Sequence, residues 1–105
     1  MDLNSKKCKP CEAGTSPLTE KQSSELLKQT PGWEIKNDHV FRQFKFKNFK
    51  EAIAFVNKVA EIAEEEGHHP DIIINYNKVA VELFTHSIKG LSENDFIVAA
   101  KINEI

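Results

Sequence analysis

The sequence lacks any long apolar run. Its longest, Ala52–Val56 and Phe96–Ala100, span five residues each. A membrane helix needs about 20, so none is expected. No apolar segment follows the N-terminus as a secretory leader would, and the expected compartment is therefore the cytoplasm. Charge of one sign is missing too. Lysine and arginine number 14 against 16 acidic residues, for a net charge of -2. That balance gives no electrostatic ground for direct nucleic-acid binding. Glycine is scarce, with four residues, and no Gly-rich loop is present to cradle a phosphate. Cysteine is limited to Cys8 and Cys11, a C-x2-C pair. Two thiols do not complete a four-ligand zinc site, and a cytosolic chain keeps its thiols reduced. Half a metal knuckle and a redox pair are the functional readings. The neighbours Lys6, Lys7, Lys9 and Pro10 suggest instead an incidental pair in a flexible arm.

What is present is one domain's worth of chain. The 105 residues are 40% apolar and 29% charged, which suits a soluble domain with a single core. Residues 1–17 carry no apolar periodicity and read as a flexible tail, leaving 18–105 as the domain. Thr19 and Gln22 fit a capping box for a first helix, which ends before Pro31-Gly32. Trp33–Lys36 and Val40–Phe46 read as strands around the turn pair Asn37-Asp38. Asn48 caps the strongest helix, which runs to Glu66 and stops at Gly67. Its stripe is Phe49, Ala52, Ile53, Val56, Ala60 and Ala63, widened by Phe55, Val59 and Ile62. Ile72–Asn75 and Val79–His86 form a second hairpin through Tyr76-Asn77-Lys78. Val79, Val81, Leu83 and Thr85 share the face that helices would cover. Ser92 caps a last helix, with Asp95 three residues on. The predicted architecture is α+β, in the order α-β-β-α-β-β-α. One four-stranded antiparallel sheet carries its helices on one face.

The chemistry gathers around histidine. Three of the four fall between His68 and His86, while His39 reads as a solvated turn residue. A hairpin folding about Asn77 sets His68 opposite His86 and His69 opposite Thr85. Directly opposed residues have Cβ atoms about 4.5–5.5 Å apart. Pro70 would pull His68 and His69 toward a corner at the helix-to-strand junction. Glu64 lies one turn before His68 and would share its face. Clustered imidazoles let one site hold both an acid and a base. The same residues include enough ligands for a metal ion, although the adjacent His68 and His69 do not easily aim at one ion. A merely polar corner is the remaining alternative.

The stretch Glu64-x3-His68-His69-Pro70, followed at set intervals by Tyr76, His86 and Asp95, resembles the pterin-4a-carbinolamine dehydratase family. The context EEEGHHPDIIINYNKVAVELFTH and GLSENDF reinforces the likeness, and the PGWE and FKFKNF segments extend it over 17–105. The Cys-bearing tail is similar to that of bacterial members. The resemblance implies removal of water from 4a-hydroxytetrahydropterin to give quinonoid dihydropterin. A reductase then recycles that product for aromatic amino acid hydroxylases. It implies a catalytic trio of His68, His69 and His86, with Glu64 tuning His68. Asp95 would orient His86 or meet the pterin, and Pro70 and Thr85 would line the ring slot. No metal or cofactor is implied, the pterin being the substrate. The family also implies a homodimer or homotetramer. Vertebrate members partner a homeodomain transcription factor, so a non-catalytic coactivator or pterin-binding module is the alternative. One departure is Ile72, where well-known members carry an aromatic residue. Phe44 or Phe84 could supply the missing stacking wall.

Overall fold

Each element begins or ends where local chemistry dictates. In the computed structural model, which describes residues 3–8 and 16–105, helix α1 spans Glu20–Leu27. The Thr19 side chain accepts from the Gln22 N–H, and Gln22 reaches back to the Thr19 N–H, so two otherwise orphaned donors are satisfied together. Strands β1 (Glu34–Lys36) and β2 (His39–Lys45) flank a two-residue turn. Asn37 and Asp38 both take positive φ, 51° and 61°. That geometry matches the right-handed twist of paired strands, and these residue types tolerate it. Helix α2 (Phe49–Glu66) starts where Asn48 accepts from the Glu51 N–H at 2.9 Å. It stops at Gly67, whose φ of 64° is left-handed.

Strands β3 (Asp71–Asn75) and β4 (Lys78–Leu83) complete a sheet of order β1-β2-β4-β3, antiparallel throughout. Asn75 pairs with Lys78 and Asp71 with Glu82, so the turn is Tyr76-Asn77, one residue shorter than expected. The register shifts by one accordingly. Strand β4 also ends three residues before its predicted end. Pro70 has no N–H to donate, so the β3 ladder closes at Asp71 and residues 84–86 have no β3 partner. Thr85 instead bridges to Gly90, and His86–Ile88 form a 3-10 turn closed by the left-handed Lys89. Helix α3 (Glu93–Ile102) follows, with Ser92 at its cap and Asp95 returning to the Ser92 N–H at 3.0 Å.

The core lies between one sheet face and the helices. Val40, Val79, Val81 and Leu83 meet Phe96, Ile97 and Val98 of α3 and Ala52, Phe55 and Val59 of α2, all buried. Burying one such large apolar side chain stabilises the fold by about 1.5–3 kcal/mol. The buried line of α2 is Ala52, Phe55, Val59 and Ala63. It is rotated from the predicted centre, because Ala60 is exposed and Phe49 is 49% exposed. Trp33 is buried, and its indole N–H donates to Asn103 Oδ1 at 2.8 Å. That bond ties β1 to the end of α3.

The expectation of a free arm over 1–17 differs from the structure at 3–8. Leu3–Ser5 form a 3-10 turn against α3, with Leu3 only 2% exposed inside the core. Burial of the Leu3 side chain contributes to docking the segment. Cys11 lies outside the described residues.

Candidate functional site

The three clustered histidines are positioned by element ends. Gly67 breaks α2 in the left-handed conformation, so His68 leaves the helical track. Its N–H still closes on Ala63 O at 3.2 Å, but its ring swings away from Glu64 and toward α3. His68 Nε2–H donates to Asp95 Oδ1 at 2.6 Å, with the His68 side chain 12% exposed and the Asp95 side chain fully buried. The other oxygen of Asp95 accepts from Thr85 Oγ at 2.8 Å and from the Ser92 N–H. Ser92 Oγ supports Thr85 Oγ at 2.8 Å. One carboxylate at the N-terminal turn of α3 thus joins α2's end, β4's end and α3 itself. A carboxylate also suits that position against the helix dipole.

His69 is exposed and its Nε2–H donates to Glu64 Oε2. The carboxylate pairing therefore differs from the sequence expectation. Glu64 meets His69 rather than His68, because a chain that leaves α2 at Gly67 no longer keeps residues 64 and 68 on one face. Asp95 meets His68 rather than His86 and is closed off from a bound ring. Thr85 is 4% exposed, and its hydroxyl serves Asp95 rather than an open slot.

His86 is exposed at the start of the 3-10 turn, its ring edge-on to Phe84 with centroids 5.1 Å apart. Although the ladder does not carry them, His68, His69 and His86 line one cleft of about 540 Å³. Its other walls are Cys8, Glu66, Gly67, Asn94 and the Phe84–Ser87 segment. Pro70 is not among the lining residues; it terminates β3 instead. Of the two candidate aromatic walls, Phe84 faces the cleft. Phe44 lies on the helix-covered face against Phe55, with ring centroids 4.5 Å apart. His39 is not a free turn residue. It opens β2, and its ring stacks on Phe84 at 4.5 Å and 28°. The signal for that contact was the cross-strand position of residue 84 opposite 39, legible only with the register in hand.

The histidines and carboxylates form two separate pairs. Among the described residues, no three His, Cys, Asp or Glu side chains are grouped as metal ligands. A carboxylate acceptor fixes Nε2 as the protonated nitrogen, leaving Nδ1 as the second functional atom of the His68 and His69 rings. Such rings, beside the differently held His86, can give and take protons at one bound molecule.

Cys8 and Glu66 add a feature the sequence did not reveal. Glu66 Oε1 accepts from the Cys8 N–H at 2.9 Å, and Oε2 lies 3.7 Å from Lys101 Nζ and 3.8 Å from Lys7 Nζ. Burial opposes the charge of Glu66, but the Cys8 N–H, Lys101 and Lys7 outweigh it and hold its carboxyl below the usual range. Burial, reinforced by Glu66, pushes the Cys8 thiol up to about 12.

Comparison with known proteins agrees in one direction. The family described as pterin 4 alpha carbinolamine dehydratase matches residues 16–105. A protein of Halorhodospira halophila named for that activity is 46% identical, over 100% of this chain and 98% of its own length. The mitochondrial pterin-4-alpha-carbinolamine dehydratase 2 of Arabidopsis thaliana is 46% identical over 99% of this chain and 59% of its own length. A crystal structure from Brucella melitensis, described as a transcriptional coactivator/pterin dehydratase, superposes with a TM-score of 0.80 at 38% identity. It covers 85% of this chain and 97% of its own.

Proposed function

The chain belongs to the pterin 4 alpha carbinolamine dehydratase family, and from that premise we propose that it is a hydro-lyase. It removes water from 4a-hydroxytetrahydropterin by histidine acid–base catalysis. The observation that carries this reading is the convergence of His68, His69 and His86 on one cleft beside the Phe84 ring.

The substrate is a carbinolamine, with hydroxyl and ring nitrogen on one carbon. Protonating the hydroxyl lets it leave as water. The nitrogen lone pair then forms the C=N bond, and loss of the N–H proton gives the quinonoid dihydropterin. The chemistry asks for one proton donor, one acceptor and a slot for a flat ring. His68, oriented by the buried Asp95 with Nε2–H fixed, presents Nδ1 as the acceptor. His69, its Nε2–H held by Glu64, acts in its doubly protonated form and delivers the Nδ1 proton to the hydroxyl. His86 and Phe84, in edge contact with ring centroids 5.1 Å apart, together form one wall against which the pterin ring rests. Well-placed acid–base groups contribute about 10²–10⁴-fold, enough for a dehydration that also runs unaided. The product returns to a reductase, placing the protein in tetrahydropterin recycling.

The working unit is a homodimer or homotetramer. The apolar margin of α2 left outside the core, with Phe49 49% exposed and Ala60 exposed, supports a contact between copies. Light scattering reads that mass directly. The deciding experiment for the activity is dehydration of freshly formed 4a-hydroxytetrahydropterin, followed against the spontaneous rate. Acceleration by the wild type, lost in His69→Ala and His86→Ala, is the expected result. A wild type that leaves the spontaneous rate unchanged refutes the enzyme and leaves a binding module.

A further inference from the structure

The N-terminal segment plays no part in the chemistry above, yet it reaches the cleft. Leu3 is sunk in the core, and Lys6 Nζ lies 3.1 Å from Glu93 Oε2 in the first turn of α3. The Cys8 backbone N–H is held by the buried carboxylate of Glu66 at 2.9 Å. Cys8 Sγ donates to Asn94 O at 3.8 Å. Between these anchors the strand of chain passes the junction of α2 and α3, and Cys8 becomes a wall of the cleft beside His68 and His69. Exposed ion pairs such as Lys6–Glu93 add little. The buried Leu3 and the buried acceptor Glu66 are what fix the segment.

We infer that residues 3–8 are a strap walling the histidine cleft, and that Cys8 limits the size of the substituent a bound pterin carries at C6. The inference rests on the activity proposed above. The reacting atoms, C4a and N5, must sit at the histidines. Two groups lie one bond beyond that edge: the carbonyl at C4 and the substituent at C6. A wall facing the carbonyl would be expected to offer a donor. The strap offers none at this point, because the Cys8 N–H is taken by Glu66 and its S–H points at Asn94 O. What remains is the soft, uncharged surface of sulfur, which suits the carbon chain at C6.

The test compares two substrates, the 4a-hydroxytetrahydropterins bearing a methyl or a dihydroxypropyl group at C6. In Cys8→Phe, kcat/KM for the larger substituent should fall about tenfold or more relative to the methyl compound, the scale on which pockets discriminate by size. Cys8→Ala should move the ratio the other way. Leu3→Ala, which loosens the anchor, should relax discrimination as Cys8→Ala does. The ratio between substrates is a readout that general destabilisation does not move. Should Cys8→Phe fail to fold, Cys8→Met carries the same comparison. An unchanged ratio, or one shifted toward the larger substituent by the bulkier side chain, overturns the inference. If the wild type itself shows no acceleration, the proposed activity has failed. If the wild type is active and the ratio stays fixed, only the strap wall has failed.

Discussion

Replacing Asp95 with asparagine tests whether the buried carboxylate sets the protonation of His68. The carboxylate receives three donors: His68 Nε2–H on Oδ1 at 2.6 Å, and Thr85 Oγ–H and the Ser92 N–H on Oδ2 at 2.8 and 3.0 Å. Asparagine has the same shape but only one oxygen. Two donors converge on the Oδ2 side, so the amide oxygen is held there and its NH2 turns to His68. The NH2 can only donate, so Nε2 must accept and the ring proton moves to Nδ1. The atom that the proposed mechanism uses as the base becomes a donor. A charge-assisted hydrogen bond is replaced by a neutral one, at a cost of about 2 kcal/mol. For a domain of this size that lowers Tm by about 8–16 °C. Turnover should fall much further, by about 10²–10⁴, because the ring is present but in the wrong tautomer. Thermal unfolding gives the first number and the dehydration assay the second. Thr85→Val is the control: it removes one donor to Asp95 without touching His68. It should cost about 1 kcal/mol and leave turnover within a few-fold. An Asp95→Asn enzyme as active as the wild type would refute the argument that this carboxylate selects the tautomer.

Gly67→Ala should destabilise by about 1 kcal/mol through backbone strain alone, because φ is 64° and nothing lies within 4 Å of an added Cβ. If the left-handed residue is what aims His68, turnover should fall as well, and the two readouts together separate strain from mispositioning. Glu66→Gln should flatten the loss of stability on acidification. A carboxyl held below its ordinary value of 4.5 contributes stability that is present above that value and disappears as pH falls through the folded-state value. Unfolding midpoints from pH 7 to pH 3 check it, with identical pH dependence in both proteins as the contrary outcome. In a Cys11→Ser background, Cys8 should alkylate slowly at pH 8. A thiol raised from 9.0 to about 12 has about 10³-fold less thiolate, the species that reacts. Labelling by iodoacetamide at the rate of a small free thiol would contradict its burial beside Glu66.

Most of the fold was legible because its signals are local. Thr19 with Gln22, Asn48 with Glu51, Gly67, Asn37-Asp38 and Ser92 with Asp95 each act within about four residues, and each sits where sequence reasoning put it. What could not be read depends on partners distant in sequence. The strand after Leu83 was over-extended because its alternation of apolar and polar residues continues to His86. Only the missing β3 partner beyond Pro70 ends it. The buried face of α2 is rotated by part of a turn from the expected stripe because apolar residues cover half its circumference, and the choice among them is made by the sheet. The burial of Leu3 is not legible in the sequence because a single leucine in a polar segment has no period. The actual register differs by one from the expected pairing, yet His68, His69 and His86 still line one cleft. Corner and loop lie at the same end of the sheet, whichever residues pair.

That tolerance has a physical source. A site built inside a strand ladder would be lost to a slip of one residue, since every side chain would change face. Here the candidate histidines stand just outside the ladder, on the exits of α2 and β4. The tie between those exits is a side-chain carboxylate rather than strand pairing. Asp95 is reached from His68 and from Thr85, residues 27 and 10 positions away, and it is fixed in turn by the N–H of Ser92, the cap of its own helix. The orientation of His68 is therefore set by how α3 docks, and α3 is more completely buried than α1 or α2. Substitutions within the α3 core, such as Ile97→Ala, should thus disturb turnover together with stability. Equivalent losses on α1, whose single buried residue is Ser23, should lower stability while leaving the rate of the folded protein alone. Matching turnover losses from α1 and α3 at equal destabilisation would show that the site depends on the fold as a whole rather than on this one helix.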